Sequence, residues 1–362
     1  MAPSLCIHTA LISFVLFSTS TFAEEAQVPA MFVFGDSLVD PGNNNNLATL
    51  AKANYFPNGI DFPEGDTGRY CNGGTFADYL SNLLGLPIIP PYNNPEIKAH
   101  DMLQGVNFAS AASGILDDTG RFYGELFSMD SQIQNFGRIL GELGSVLENR
   151  TEDYIGSSFF LVSTGSNDYI NNFLLPISQK TRLYTPESFA ELVIHEYRRQ
   201  LKELYDLGGR KFLIGGVGPL GCIPNQIGNN PNASEGTCIE STNILVLQFN
   251  TNLKVMLDDL NRSLRGSYFL FWDVYSNSME IITNYSRYGF KYPLTACCGA
   301  GRSKGQIMCL PVLPLECQNR NDHIFWDPYH PTARFNSIVA EVAYNGTLQT
   351  TFPMNAMQLA LL

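Results

Sequence analysis

Short, fully apolar runs alternate along this chain with longer stretches in which apolar residues return every three or four positions. Runs of the first kind, bounded by turn residues, predict strands covered on both faces, as in a parallel sheet. Stretches of the second kind predict helices with one buried stripe. Strands are expected over residues 31–34, 105–109, 158–162, 211–217 and 267–272. Helices are expected over 75–84, 130–147, 186–207, 238–264 and about 331–344. In the first helix Phe76, Tyr79, Leu80, Leu83 and Leu84 share a face, and Gly85 follows as a stop. Strands alternating with helices predict an α/β fold with a mostly parallel, five-stranded sheet.

Parallel strands point the same way, and ligands of open α/β sheets sit beyond their carboxyl ends. Three of the apolar runs end in small polar turns: Gly35-Asp36-Ser37, Ser110 to Gly114, and Thr164 to Asp168. Ser37, Gly114 and Asn167 are therefore expected along one rim. Gly-Asp-Ser also suits a plain turn with a helix cap, so the serine needs a partner before it means chemistry.

A serine hydroxyl is a weak nucleophile until a base takes its proton, and histidine is the usual base. The chain has five histidines. His8 falls in an N-terminal leader, His195 in a helix, and His100 and His323 in polar loops. His330 differs: Asp327 lies three residues before it and Pro331-Thr332 directly after. With Pro331 at the first helical position, His330 is expected at the helix cap. Asp327 then bonds one ring nitrogen and leaves the other for Ser37. Attack on an ester builds charge on the carbonyl oxygen, which needs waiting donors. The backbone N–H groups of Ser37 and Gly114 and the side-chain amide of Asn167 are the candidates. Phe122, Tyr123, Phe127 and Phe173 are candidates for an acyl groove, although aromatic residues more often fill cores.

The blocks Gly35-Asp36-Ser37-Leu38, Gly165-Ser166-Asn167-Asp168 and Asp327-Pro328-Tyr329-His330-Pro331-Thr332 resemble those of the plant GDSL esterase/lipases, within the SGNH hydrolase superfamily. Asn107-Phe108-Ala109-Ser110, Gly216 to Cys222 and Cys297-Cys298-Gly299 match as well, in the family's order. The resemblance implies a three-layer α/β/α sandwich, flavodoxin-like in outline. It implies Ser37 as nucleophile, His330 as base, Asp327 as orienting acid, and Ser37, Gly114 and Asn167 as the oxyanion hole. No metal or cofactor is implied. One departure stands out: many relatives carry two glycines after the serine of the second block, where this chain has Ala111-Ala112. Acyl transfer to an alcohol, as in the family's cutin-polymerising members, and a binding glycoprotein without activity are the competing readings.

Composition adds context. Of 362 residues, 44% are hydrophobic and 15% charged, enough for a large core. Residues 1–23 read as a secretory signal with cleavage after Ala23, leaving 24–362 as a single hydrolase domain. Sequons begin at Asn149, Asn232, Asn261, Asn284 and Asn345, which fits a secreted glycoprotein. Beyond the leader, Cys71, Cys222, Cys238, Cys297, Cys298, Cys309 and Cys317 remain, predicting disulfides across the later loops. The number is odd, and Cys71, the most isolated, is expected to be free. There is no C-x-x-C pair for zinc. A net charge of −12 disfavours nucleic acid and anionic membranes as partners. No run is long enough for stable membrane insertion. The expected partner is a small-molecule or lipid ester, and nothing in the sequence sets the oligomeric state.

Overall fold

The computed structural model describes residues 26–362 apart from 176–177, 235 and 313–314. The expected leader over 1–23 lies outside the described residues. Four parallel strands, β1 (Met31–Gly35), β2 (Phe159–Ser163), β3 (Lys211–Gly215) and β4 (Tyr268–Trp272), lie side by side in chain order. A two-residue strand, β5 (Thr351–Phe352), pairs antiparallel with β4 and completes a five-stranded sheet. The register runs Met31 to Phe159, Phe159 to Lys211 and Lys211 to Tyr268, so the carboxyl ends of the parallel strands are level.

The helices that cover the sheet are α1 (Phe76–Leu83), α2 (Met129–Leu147), α3 (Pro186–Asp206), α4 (Glu240–Ser263), α5 (Val274–Thr283) and α6 (Ala333–Asn345). Side chains alternate across a strand. Phe32 and Phe34 therefore join α2, α3 and α4 in one core, while Met31 and Val33 join α1, α5 and α6 in the other. This is the expected α/β/α layering. Helix starts are written locally: Thr75 and Asp78 form a capping box, and Thr185 caps α3 with Pro186 behind it.

Two expectations need correction. Residues 105–109 do not form a full strand. They touch β1 through an isolated bridge at Val33 and Asn107, with Phe108 N–H donating to the Val33 carbonyl at 2.7 Å. The Asn107 backbone also bridges Pro91, with its N–H donating to the Pro90 carbonyl at 2.9 Å, while its side-chain amide donates to the Val39 carbonyl at 2.7 Å. The fifth strand is β5, too short to leave a pattern in the sequence. The last helix also starts later than expected. Thr332, not His330, is its cap, because the Thr332 oxygen accepts the Phe335 N–H, and Pro331 stays outside the helix.

Disulfides join Cys222 to Cys238, Cys297 to Cys317 and Cys298 to Cys309, and Cys71 is free and buried. Among the sequons, Asn149, Asn232, Asn284 and Asn345 are exposed. Asn261 is half-buried and exchanges two hydrogen bonds with the Phe269 backbone, at 2.8 and 2.7 Å, which ties up its amide.

The larger core centres on Phe136, whose ring lies 5.0 to 5.9 Å from those of Phe32, Phe34, Phe108 and Phe160. Truncating it leaves a cavity that its ring neighbours cannot close. Phe136→Ala should lower unfolding stability by about 3–5 kcal/mol in a denaturant titration. A loss under about 1 kcal/mol would show that this cluster does not anchor the sheet.

Candidate active site

The first strand ends where only glycine fits. Gly35 has φ 150°, and a Cβ there would stand 2.1 Å from the Ser163 carbonyl oxygen. The buried amide of Gln132, on α2, brackets Gly35, accepting its N–H at 2.9 Å and donating to its carbonyl at 2.8 Å. The chain then turns at Asp36 and presents Ser37, half-buried, at the rim.

The loop after Ser37 fastens the second rim segment. Asp40 accepts the N–H groups of Gly42 and Asn43, both at 2.7 Å, and of Ala111 at 2.9 Å. Asn43 donates to the carbonyls of Asn107 and Ala109. Asn44 accepts from the Ser110 hydroxyl at 2.6 Å. The run of asparagines, a polar loop by composition, is a latch whose first two members are buried.

His330 Nε2 lies 2.8 Å from Ser37 Oγ across 293 positions of sequence. Its Nδ1 lies 2.9 and 2.8 Å from the two Asp327 oxygens. Asp327 is 1% exposed and also accepts the N–H groups of Tyr329 and His330 at 2.8 Å each. These bonds fix the carboxylate against the ring. The Tyr70 ring packs 4.9 Å from the His330 ring. His195 and His100 are exposed, and His323 stacks on Tyr292 with Nδ1 at 2.9 Å from the Thr295 carbonyl.

Asn167 is aimed by two bonds. Its Nδ2 donates one hydrogen to the Ser113 carbonyl at 2.8 Å, and its Oδ1 accepts from Asn171 at 2.7 Å. The second Nδ2 hydrogen is left for the cleft that both Asn167 and Ser37 line. Asn171 escaped notice in the sequence, although it follows Asn167 at the spacing of neighbours on a helix face.

Gly114 does not line this cleft. A Cβ on it would meet Asp168 Oδ2 and Thr119 Cγ2, both at 2.6 Å, so it is pressed against the buried Asp168 side chain. Ala112 lines the cleft instead, in the left-handed conformation at φ 66°. Neither N–H has a hydrogen-bond acceptor among the described residues, and the cleft wall is what separates them. A non-glycine residue with positive φ stores strain, a mark often found at functional sites. Of the proposed groove aromatics, only Tyr123 lines the cleft. Phe122 is 54% exposed, Phe127 is half-buried away from it, and Phe173 belongs to the core. The cleft has a volume of about 370 Å³ and mostly apolar walls.

A GDSL-like lipase/acylhydrolase family model matches residues 31–343. A GDSL esterase/lipase of Arabidopsis thaliana, At5g08460, is 45% identical over 359 residues, covering 97% of this chain and 93% of that one. Arabidopsis GDSL esterase/lipase 7 is 43% identical over 338 residues, covering 92% of each. The fold and these matches are those of an ester hydrolase. The chain belongs to the GDSL lipase/acylhydrolase family.

Three buried carboxyls stand around Ser37. Burial pushes Asp36 up to about 7, against a hydrogen bond from the Leu38 N–H. Burial likewise pushes Asp40 and Asp168 up to about 6, against backbone hydrogen bonds. A carboxyl whose folded value is raised favours folding below its unfolded value and loses that advantage as pH rises. For Asp36 the loss runs from about pH 4 to about pH 7. Asp36→Asn should remove it, so between pH 4 and 7 the wild type should lose stability relative to the variant. The expected difference is on the order of 1–3 kcal/mol by denaturant unfolding. Parallel pH profiles for the two proteins would contradict this.

Proposed function

We propose that the protein is a secreted serine esterase that hydrolyses carboxylic, acyl-type esters at Ser37. The observation that carries the reading is the 2.8 Å contact between Ser37 Oγ and His330 Nε2, continued through Nδ1 to Asp327. His330 takes the Ser37 proton as Oγ attacks the ester carbonyl carbon. Asp327 accepts Nδ1–H, fixes the tautomer and balances the charge that forms on the ring. The carbonyl oxygen becomes an oxyanion held by the Ser37 N–H, the Ala112 N–H and the Asn167 amide. Here Ala112 takes the part the sequence suggested for Gly114, since it shares the cleft wall with Ser37 and Asn167. Collapse breaks the bond to the alcohol, which leaves with the proton from His330. Water then attacks the acyl-serine, with His330 again the base, and the acid departs. No step calls for a metal or a redox cofactor.

Secretion is supported by three disulfides and by exposed sequons, both at home in an oxidising compartment. Among the described residues no helix is long and apolar enough to cross a membrane.

Ser37→Ala should cut kcat on an aryl ester by about 10⁴-fold or more while leaving the thermal midpoint in place. A variant that keeps most of its turnover overturns the assignment. Asn167→Ala should cost about 10²–10³ in kcat with a smaller change in KM, because the oxyanion exists only past the ground state. A loss confined to KM would instead make Asn167 a ground-state binding residue.

A further inference from the structure

The lining of the cleft falls into two sets that differ in burial. On one side Leu50 is 84% exposed, and Lys52, Tyr55 and Tyr123 are each partly exposed, so this side opens to water. On the other side Phe76, Trp272, Ile282, Phe335 and Val339 line the same cleft, yet each is less than a tenth exposed, at 4, 4, 7, 7 and 4%. They belong to the apolar core between the sheet and α1, α5 and α6. The Trp272 ring, at the end of β4, stacks on Phe76 with centroids 4.1 Å apart. Val274, Ser278 and Ile282 all line the cleft from α5. Their spacing keeps them on one helix face and spans about 12 Å of its axis.

Protein cores are close-packed, and an unfilled apolar chamber forfeits contacts on every wall. A polar ligand entering this one would shed its water and find few replacement bonds, chiefly from the unpaired Trp272 Nε1–H, the Ser278 hydroxyl and the Asn336 amide. A hydrocarbon chain loses nothing of that kind and contributes about 0.8 kcal/mol per buried methylene. We propose that the closed side of the cleft holds the aliphatic acyl chain of the ester, and that Val339 and Ile282 limit its length. This rests on Ser37 being the nucleophile. The acyl group stays bonded to Ser37 through the second half of the reaction and suits an enclosed arm. The alcohol must leave and let water in, which suits the open arm beside Leu50 and Tyr123. The helix that follows the catalytic histidine, α6, thereby also forms the wall of the acyl arm.

The test is the ratio of kcat/KM for p-nitrophenyl dodecanoate to that for the butyrate, measured within each protein. Val339→Trp and Ile282→Trp should each lower this ratio at least tenfold. In case the bulky variants fail to fold, Val339→Ala should raise the ratio for hexadecanoate over dodecanoate at least threefold. Unchanged ratios in folded variants whose serine still titrates with a fluorophosphonate would overturn the acyl arm and leave the serine esterase reading standing. A shift seen only when the alcohol of an acetate ester is lengthened would also overturn it, by giving the arm to the leaving group. Retained turnover in Ser37→Ala, run alongside, would instead remove the esterase reading on which the arm rests.

Discussion

A single contact ties the molecule together in functional terms. Ser37 and His330, near opposite ends of the chain, meet at 2.8 Å only because a level parallel sheet and its covering helices bring their loops to one rim. Every other feature of the site serves that meeting. Glycine at position 35 lets β1 end tight against β2, and the Gln132 amide pins that end from α2. On the histidine side, Asp327 gathers two backbone N–H groups and the ring nitrogen, so the imidazole cannot swing away without breaking several bonds at once.

The rim is preorganised by polar groups that are buried rather than exposed. Asp40, Asn43 and Asn44 bind the 107–111 segment so closely that Ala112 is held at positive φ. Donors fixed in this way need no rearrangement when charge develops, which is where electrostatic catalysis gains most. The same burial makes Asp36, Asp40 and Asp168 weaker acids than exposed carboxyls, so stability and a poised site pull in opposite directions around the serine.

Much of this was legible in the sequence, and the limits have physical causes. Apolar runs ending in small polar turns identify β1 and the rim, and the Asp327 to His330 spacing identifies an oriented imidazole. Buried asparagines leave no periodic trace, so the latch reads as an ordinary loop. A two-residue strand such as β5 carries no pattern, and the apolar run around Asn107 gives no sign that it pairs through isolated bridges alone. The sequence offers Gly114 because glycine lets backbone approach a substrate closely, and positive φ ordinarily belongs to glycine as well. The surrounding bonds override that rule at Ala112, while Gly114 is required for a different reason, its contact with Asp168. Phe173 and Phe127 show the ambiguity of aromatics, which can line clefts but more often fill cores.

The most direct test of the account is peptide mapping by mass spectrometry after reaction with a fluorophosphonate. The account predicts a single phosphonylated residue, Ser37, in the wild type and loss of the adduct in His330→Ala, because an unassisted serine does not attack phosphorus at a useful rate. Label on another residue, or undiminished label on Ser37 without His330, would contradict it.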